Sequence, residues 1–231
     1  MVKRAEVRAR RERAKRTQKL ISIGTVVAGL ILIGVVALLI ITGQSNATSV
    51  IDDIIMPEKH DRLMVSENSM GDPNAPVKVN EFSNYECSHC KTFAEGLEGY
   101  IASTYIETGK VYLTFVPFTW TETAAKAAEA AYCAMDQGQY WEYHDVLFAN
   151  QTNTSLPGFT NAVLFAIAEK LELDSSTFEK CLTSGKYTNQ VTKDSLIAQE
   201  QGATGTPTFD VNGELVFTDG LEDAIKTALG Q

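Results

Sequence analysis

Cys87-Ser88-His89-Cys90 sets two thiols two residues apart, directly after a run that alternates like a strand and directly before one with helical spacing. A sulfur at a helix N-terminus faces backbone N–H groups that lack an intrahelical partner, and the positive end of the dipole, so thiolate is favoured over thiol. The two-residue spacer places the second sulfur one turn on, close enough to close a disulfide or to resolve a mixed one. His89, between the two, can add positive charge or a donor. Glu86, immediately before Cys87, opposes the thiolate if its carboxylate stays near. This is the pattern of thiol–disulfide exchange.

Blander readings are weaker. A CxxC can be half of a zinc site, but no second CxxC or paired histidines complete four ligands, since His60 and His144 stand alone. No metal is expected. A purely structural disulfide across a helix start would stabilise little, because the loop it closes is tiny. Cys133 and Cys181, separated by 48 positions, each fall in a predicted amphipathic helix. If Cys87 and Cys90 form the redox pair, these two are left for each other as a structural disulfide, or they are two buried thiols.

The elements that must position the CxxC can be traced outward from it. The segment Gly71-Asp72-Pro73-Asn74-Ala75-Pro76 is turn chemistry. Residues 77–82 alternate, with Val77, Val79 and Glu81 on one side, and Val111-Tyr-Leu-Thr-Phe-Val116 is a second strand closed by Pro117. Between them, residues 87–107 have helical spacing, with Phe93, Leu97, Tyr100 and Ile101 on one face. Strand–helix–strand implies a parallel pair with a crossover. Helices are predicted over 124–135, 140–148, 161–171, 177–184 and 191–201. Strands return at 208–211 and 214–217 around the hairpin signal Asn212-Gly213, and a last helix covers 221–229. One α/β sheet split by a helical insertion explains this order. Two separate domains would strand the last hairpin, which is marginal alone in water.

Charge is segregated along the 231 residues, whose net charge is −9. Residues 1–19 hold nine Lys or Arg against Glu6 and Glu12, and residues 20–42 hold no charge. The other 189 residues carry 11 basic and 27 acidic side chains. An acidic body of this kind repels phosphate backbones, which argues against nucleic-acid binding. The uncharged run would span roughly 35 Å as a helix, enough to cross a bilayer's hydrocarbon core. Its basic flank places the N-terminus in the cytoplasm and the body outside. A cleaved signal peptide is the rival reading of the same segment. Either way residues 43–231 meet an oxidising compartment. The expected organisation is a basic head over 1–19, an anchor over 20–42, a tether over 43–70 and one domain over 71–231, its helical insertion at about 119–203.

The run Val79-Asn-Glu-Phe-Ser-Asn-Tyr-Glu-Cys-Ser-His-Cys90, with Gly205-Thr-Pro-Thr-Phe209 far downstream, resembles the DsbA-like branch of the thioredoxin superfamily. Residues 131–145 resemble the start of that family's helical insertion. The resemblance covers roughly 71–231 and implies a thioredoxin-like fold with a helical insertion. It further implies that Pro207 is cis beside the CxxC, that the backbone of Thr206 pairs with a bound peptide, and that Glu81 is a buried acid serving Cys90. Here the chain departs from the pattern: some members carry a basic partner on the next strand, and residues 111–118 contain none.

The resulting expectation is a membrane-anchored, extracytoplasmic thiol:disulfide oxidoreductase. Cys87 is the exposed nucleophile and Cys90 the buried resolving thiol. Its substrates are unfolded exported proteins with free thiols, no metal or organic cofactor is needed, and a membrane quinone-linked partner reoxidises the pair. The same fold run as a reductase or isomerase is one alternative. A non-catalytic chaperone or binding module using Tyr85, Phe118 and Trp120 is another.

Overall fold

A computed structural model of the chain describes residues 25, 29–36, 50–59 and 62–231. Two compact units separate at Ser49. In the first, the described residues 25 and 29–36 are helical and exposed. Among the described residues no helix is long and apolar enough to cross a membrane. The 1–19 head and most of the 20–42 run lie outside them.

The second unit, Val50–Gln231, is built on a six-stranded sheet of order β1-β2-β4-β3-β5-β6. Its strands are β1 (Val65–Ser66), β2 (Ser69–Met70), β3 (Val77–Ser83), β4 (Val111–Pro117), β5 (Thr208–Val211) and β6 (Glu214–Val216). Strands β3 and β4 run parallel, as the strand–helix–strand order requires, and every other neighbouring pair is antiparallel. β3 is central, so both faces are covered. Val77, Val79, Glu81 and Ser83 point to one side and Phe82 to the other, where Phe118, Ala198 and Ala203 pack on it. In the β5–β6 turn Asn212 and Gly213 both have positive φ, the conformation that Asn-Gly adopts at least cost. At Gly71, also at positive φ, an added Cβ would collide with the Val111 carbonyl oxygen, so only glycine fits this close approach.

Five helices fill the insertion between β4 and β5: α3 (Glu122–Met135), α4 (Tyr140–Asn150), α5 (Asn161–Lys170), α6 (Ser175–Thr183) and α7 (Thr188–Glu200). The final helix, α8 (Leu221–Ala228), buries Leu221 and Ile225 as its spacing predicts. Cys133 of α3 and Cys181 of α6 are joined in a disulfide, with Cα atoms 5.8 Å apart.

Two expectations change. Residues 50–70, expected as part of a tether, are built into the second unit: Ile54 and Met70 are buried, and β2 hydrogen-bonds to β4. The crossover helix is also irregular. α1 (Ser88–Thr92) and α2 (Glu98–Ile101) are separated by a π-helical turn, Phe93–Leu97, and a second π turn comes at Ala102–Ile106. Each π turn inserts a residue and rotates the downstream helix by roughly 100°. Residues five apart then share a face, which buries Glu98 with Phe93 and Ile106 with Ile101, and turns Tyr100 outward.

Candidate active site

Strand β3 ends at Ser83 and the chain turns through Asn84, whose side-chain oxygen accepts from the Glu86 N–H at 2.8 Å while its amide donates to the Phe118 carbonyl at 2.9 Å. Gln151, at the end of α4, donates to the carbonyls of Tyr85 (2.7 Å) and Cys87 (2.8 Å). The loop that delivers the CxxC is therefore held from both sides. Cys87 occupies the N-cap position of α1 in extended conformation, and its carbonyl accepts from the Lys91 N–H at 3.1 Å.

Cys87 and Cys90 are both free thiols, the first partly exposed and the second fully buried. The Thr206–Pro207 peptide is cis, and the Cys87 sulfur donates to the Thr206 carbonyl oxygen at 3.2 Å. The two thiols have opposite acidities. Interaction with the Cys90 thiol, against the pull of burial, and then with Thr206 and the backbone N–H groups of Cys90 and His89, holds the Cys87 thiol down at about 5. Burial, and then Cys87 itself, pushes the Cys90 thiol far above its ordinary range. The His89 side chain is exposed, and its backbone N–H, rather than its imidazole, is among the leading causes acting on Cys87.

The exposed Glu86 carboxylate is held by two hydroxyls at the start of α3. Its carboxylate accepts from the hydroxyls of Thr121 and Thr123, each at 2.5 Å. Thr121 is also the N-cap of α3, accepting from the Ala124 N–H at 3.1 Å.

Glu81 lies on the sheet face toward α1 and α4, between its register partners Phe115 and Phe209. It is fully buried, and neither carboxyl oxygen has a hydrogen-bond partner. Burial, reinforced by repulsion from Glu98, lifts its carboxyl to about 8. The positive charge that β4 lacks is supplied from elsewhere. Arg62 bonds Glu98 at 2.6 and 3.2 Å and Asp145 at 2.6 and 2.8 Å, and stacks 5.1 Å above the Trp141 ring. His144 Nε2 stands 3.6 Å from Glu98. Burial alone would raise the Glu98 carboxyl, but His144 and Arg62 override it and hold it at about 2.

The fold thus brings Cys87, Cys90, Thr206 and Pro207 into one site, with Glu81 buried on the strand that leads into it, and it places Cys133 and Cys181 in the insertion. Ser83, Glu98, Arg62, His144, Gln151 and the Thr121–Thr123 pair were not apparent from spacing. Asn84 and Thr121 have sequence signals, as an Asx turn and a cap before an Ala-rich helix. Of the aromatics beside the CxxC, Tyr85 and Phe118 are buried, and Trp120 is 62% exposed with its ring edge-on to Phe118. A cavity of about 750 Å³ bordered by Met56, Arg62, Trp141 and Leu171 touches neither site cysteine. Among the described residues no cluster of His, Cys, Asp and Glu is arranged to hold a metal ion.

The family model described as Thioredoxin matches residues 64–230. The chain is 31% identical over 224 residues to "Probable disulfide bond formation protein D" of Bacillus cereus, covering 93% of this chain and 97% of that one. It is 29% identical over 165 residues to "Disulfide bond formation protein D" of Bacillus subtilis, covering 69% and 74% respectively. The crystal structure of oxidised BdbD from Bacillus subtilis is similar at a TM-score of 0.65 and 27% identity, over 71% of this chain and 94% of that one.

Proposed function

Because the chain belongs to the DsbA-like thioredoxin family of thiol–disulfide oxidoreductases, we propose that it works as an oxidase, forming disulfides in exported proteins outside the cytoplasm. The observation that carries the direction is the contrast between the two thiols. A Cys87 held at about 5 stabilises the reduced pair, which makes the Cys87–Cys90 disulfide a strong oxidant. The relatives named for disulfide bond formation support the same direction.

In this reading a substrate thiolate attacks Cys87, the Cys87–Cys90 bond breaks, and Cys90 leaves and takes up a proton. A second substrate thiolate then attacks the substrate sulfur of the mixed disulfide and expels Cys87 as a stabilised thiolate. The substrate has lost two electrons, and the pair holds them. Thr206, beside the cis-Pro207, offers its backbone to the substrate peptide. A membrane quinone-linked partner reoxidises the pair, and residues 20–42 anchor the enzyme with its head inside; the charge segregation of the chain supports that topology.

Equilibration of the Cys87–Cys90 pair with glutathione tests the direction. A potential above about −200 mV is expected, and a value near −270 mV would overturn the oxidase assignment. Protease added to intact cells should digest residues 43–231 and spare the head. Recovery of the body in the cytosolic fraction would sink the topology.

A further inference from the structure

The loop that carries Cys87 is gripped from outside its own strand and helix. Asn84 to Cys87 form a tight turn, closed by the Cys87 N–H donating to the Asn84 carbonyl at 3.0 Å. That closing bond does not use the carbonyl of the buried Tyr85. The Gln151 side chain donates to it at 2.7 Å and to the Cys87 carbonyl at 2.8 Å. Both partners are acceptors, so the amide presents its nitrogen, and its two N–H groups are spent on this loop. The Cys87 carbonyl also accepts the Lys91 N–H of α1 at 3.1 Å. One oxygen therefore joins the turn, the CxxC helix and the insertion.

Gln151 is itself firmly placed. It caps the C-terminus of α4 in helical conformation. Asn150 before it accepts from the Ile55 N–H at 2.9 Å and donates to the carbonyls of Ile55 and Val146, each at 2.8 Å. Lys91 of α1 reaches back to the same turn of α4, its ammonium donating to the Phe148 carbonyl at 2.6 Å, where a cation suits the negative end of the helix dipole. The last turn of α4 and the first turn of α1 are thus tied in both directions. The other charged groups here are engaged elsewhere or exposed: Glu86 with Thr121 and Thr123, Glu95 with Lys91, and His89 facing solvent. Regular α-helical bonding in α1 lasts only from Ser88 to Thr92 before the π turn, so the helix start has little stiffness of its own.

Holding the Tyr85 and Cys87 carbonyls together fixes the two peptide planes that bracket Glu86 and Cys87, and neither plane can rotate without breaking a bond to Gln151. We propose that Gln151 is a positioning residue for the redox reaction: it keeps the Cys87 sulfur at the mouth of α1 and against the Thr206 carbonyl, and so couples the helical insertion to that sulfur. The inference rests on the assignment of Cys87 as the sulfur that bonds to substrate. When the second substrate thiolate attacks the substrate sulfur of the mixed disulfide, a new S–S bond forms within the substrate, the bond to Cys87 breaks, and its electron pair goes to Cys87. The backbone N–H groups of His89 and Cys90 receive that charge without rearrangement if the turn has kept its place. A turn free to rotate must first be reordered, and Cys87 becomes a poorer leaving group.

Three variants of the full chain separate position from charge. Gln151→Leu removes both donors and adds no charge, Gln151→Glu removes them and adds a carboxylate, and Gln151→Asn keeps the amide on a shorter arm. Thiolate absorbance against pH should show the Cys87 midpoint raised by about half a unit, threefold in proton affinity, in Gln151→Leu, and by at least about one unit in Gln151→Glu. Gln151→Asn should fall between wild type and Gln151→Leu, and it is read alone if Gln151→Leu does not fold. The equilibrium of the Cys87–Cys90 pair with glutathione should shift by about threefold toward a less oxidising disulfide in Gln151→Leu. A midpoint and an equilibrium that stay put while urea stability falls overturn the proposal, because Gln151 would then only support the fold. A rise confined to Gln151→Glu overturns it too, since charge alone would be acting. Failure of the underlying redox assignment looks different: peptide oxidation would then survive Cys87→Ser.

Discussion

The backbone oxygen of Thr206 stands 3.2 Å from the Cys87 sulfur, although 119 residues separate the two in the chain. β5, which starts at Thr208, pairs antiparallel with β3, and β3 leads into the CxxC loop. Strand pairing thus carries the cis peptide to the mouth of α1, beside the partly exposed Cys87 sulfur.

The interaction with Cys90 is the largest single cause of the low Cys87 value. Cys90→Ala should therefore raise the Cys87 midpoint by at least about one unit and trap mixed disulfides, since the resolving thiol is gone. Thiolate absorbance against pH measures the first, and non-reducing electrophoresis with a thiol peptide measures the second. Cys87→Ser should abolish both oxidation and reduction of the peptide.

Thr121 joins the cap of α3 to the orientation of Glu86. Thr121→Ala should cost about 1 kcal/mol in urea denaturation through loss of the cap. It also removes one of the two hydroxyls that hold the Glu86 carboxylate. The freed carboxylate then disfavours the neighbouring thiolate, so the Cys87 midpoint should rise in the same variant. A midpoint unchanged from wild type would show that Glu86 does not act on Cys87 at all.

The Cys133–Cys181 disulfide closes a loop of 48 residues. Replacing both cysteines by Ala should lower stability by about 4 kcal/mol in the chain-entropy account. Chemical denaturation reads that loss. The potential of the Cys87–Cys90 pair should be unaffected, because α3 and α6 carry neither site cysteine.

Glu81 makes a pH-dependent contribution of unusual sign. Its folded carboxyl, at about 8, lies above its ordinary 4.5, so the native state binds the proton more tightly than the unfolded chain does. Between these values stability falls as pH rises, and the penalty is complete above about 8. Glu81→Gln, which mimics the protonated acid, should match wild type near pH 5 and exceed it at pH 9. Urea midpoints of the two proteins across this range check the difference. Glu98 has the opposite sign: its stabilisation is present above 4.5 and is lost as pH falls toward 2.

Local pattern revealed much of this protein. The β3 and β4 alternations, the Asn212-Gly213 turn, the Ala-rich α3 and the apolar face of α8 are all dictated by neighbours a few residues away, and their expected boundaries fall within about three residues of those observed. The irregular crossover helix escaped, because a π turn breaks the period on which helical spacing is read. That miss concealed Glu98, which the regular period leaves off the apolar face. The built-in segment of residues 50–70 escaped for a different reason. Its strands are two residues each, and Arg62 reads as a solvated charge until Glu98 and Asp145 are placed around it.

The sequence by itself singled out the Cys87–Cys90 pair as the candidate for thiol–disulfide exchange. Two thiols at a CxxC between a strand and a helix, with no further ligands to complete a metal site, favour thiol–disulfide chemistry, and the helix N-terminus favours the thiolate of the first. Tertiary structure decided how that pair is tuned. Thr206 reaches Cys87, Thr121 and Thr123 hold the Glu86 carboxylate, and Arg62 answers the buried Glu98, each across tens of residues of chain. Acidity in a protein interior depends on which charges and dipoles lie within a few ångströms, and that proximity is created by packing rather than by order along the chain.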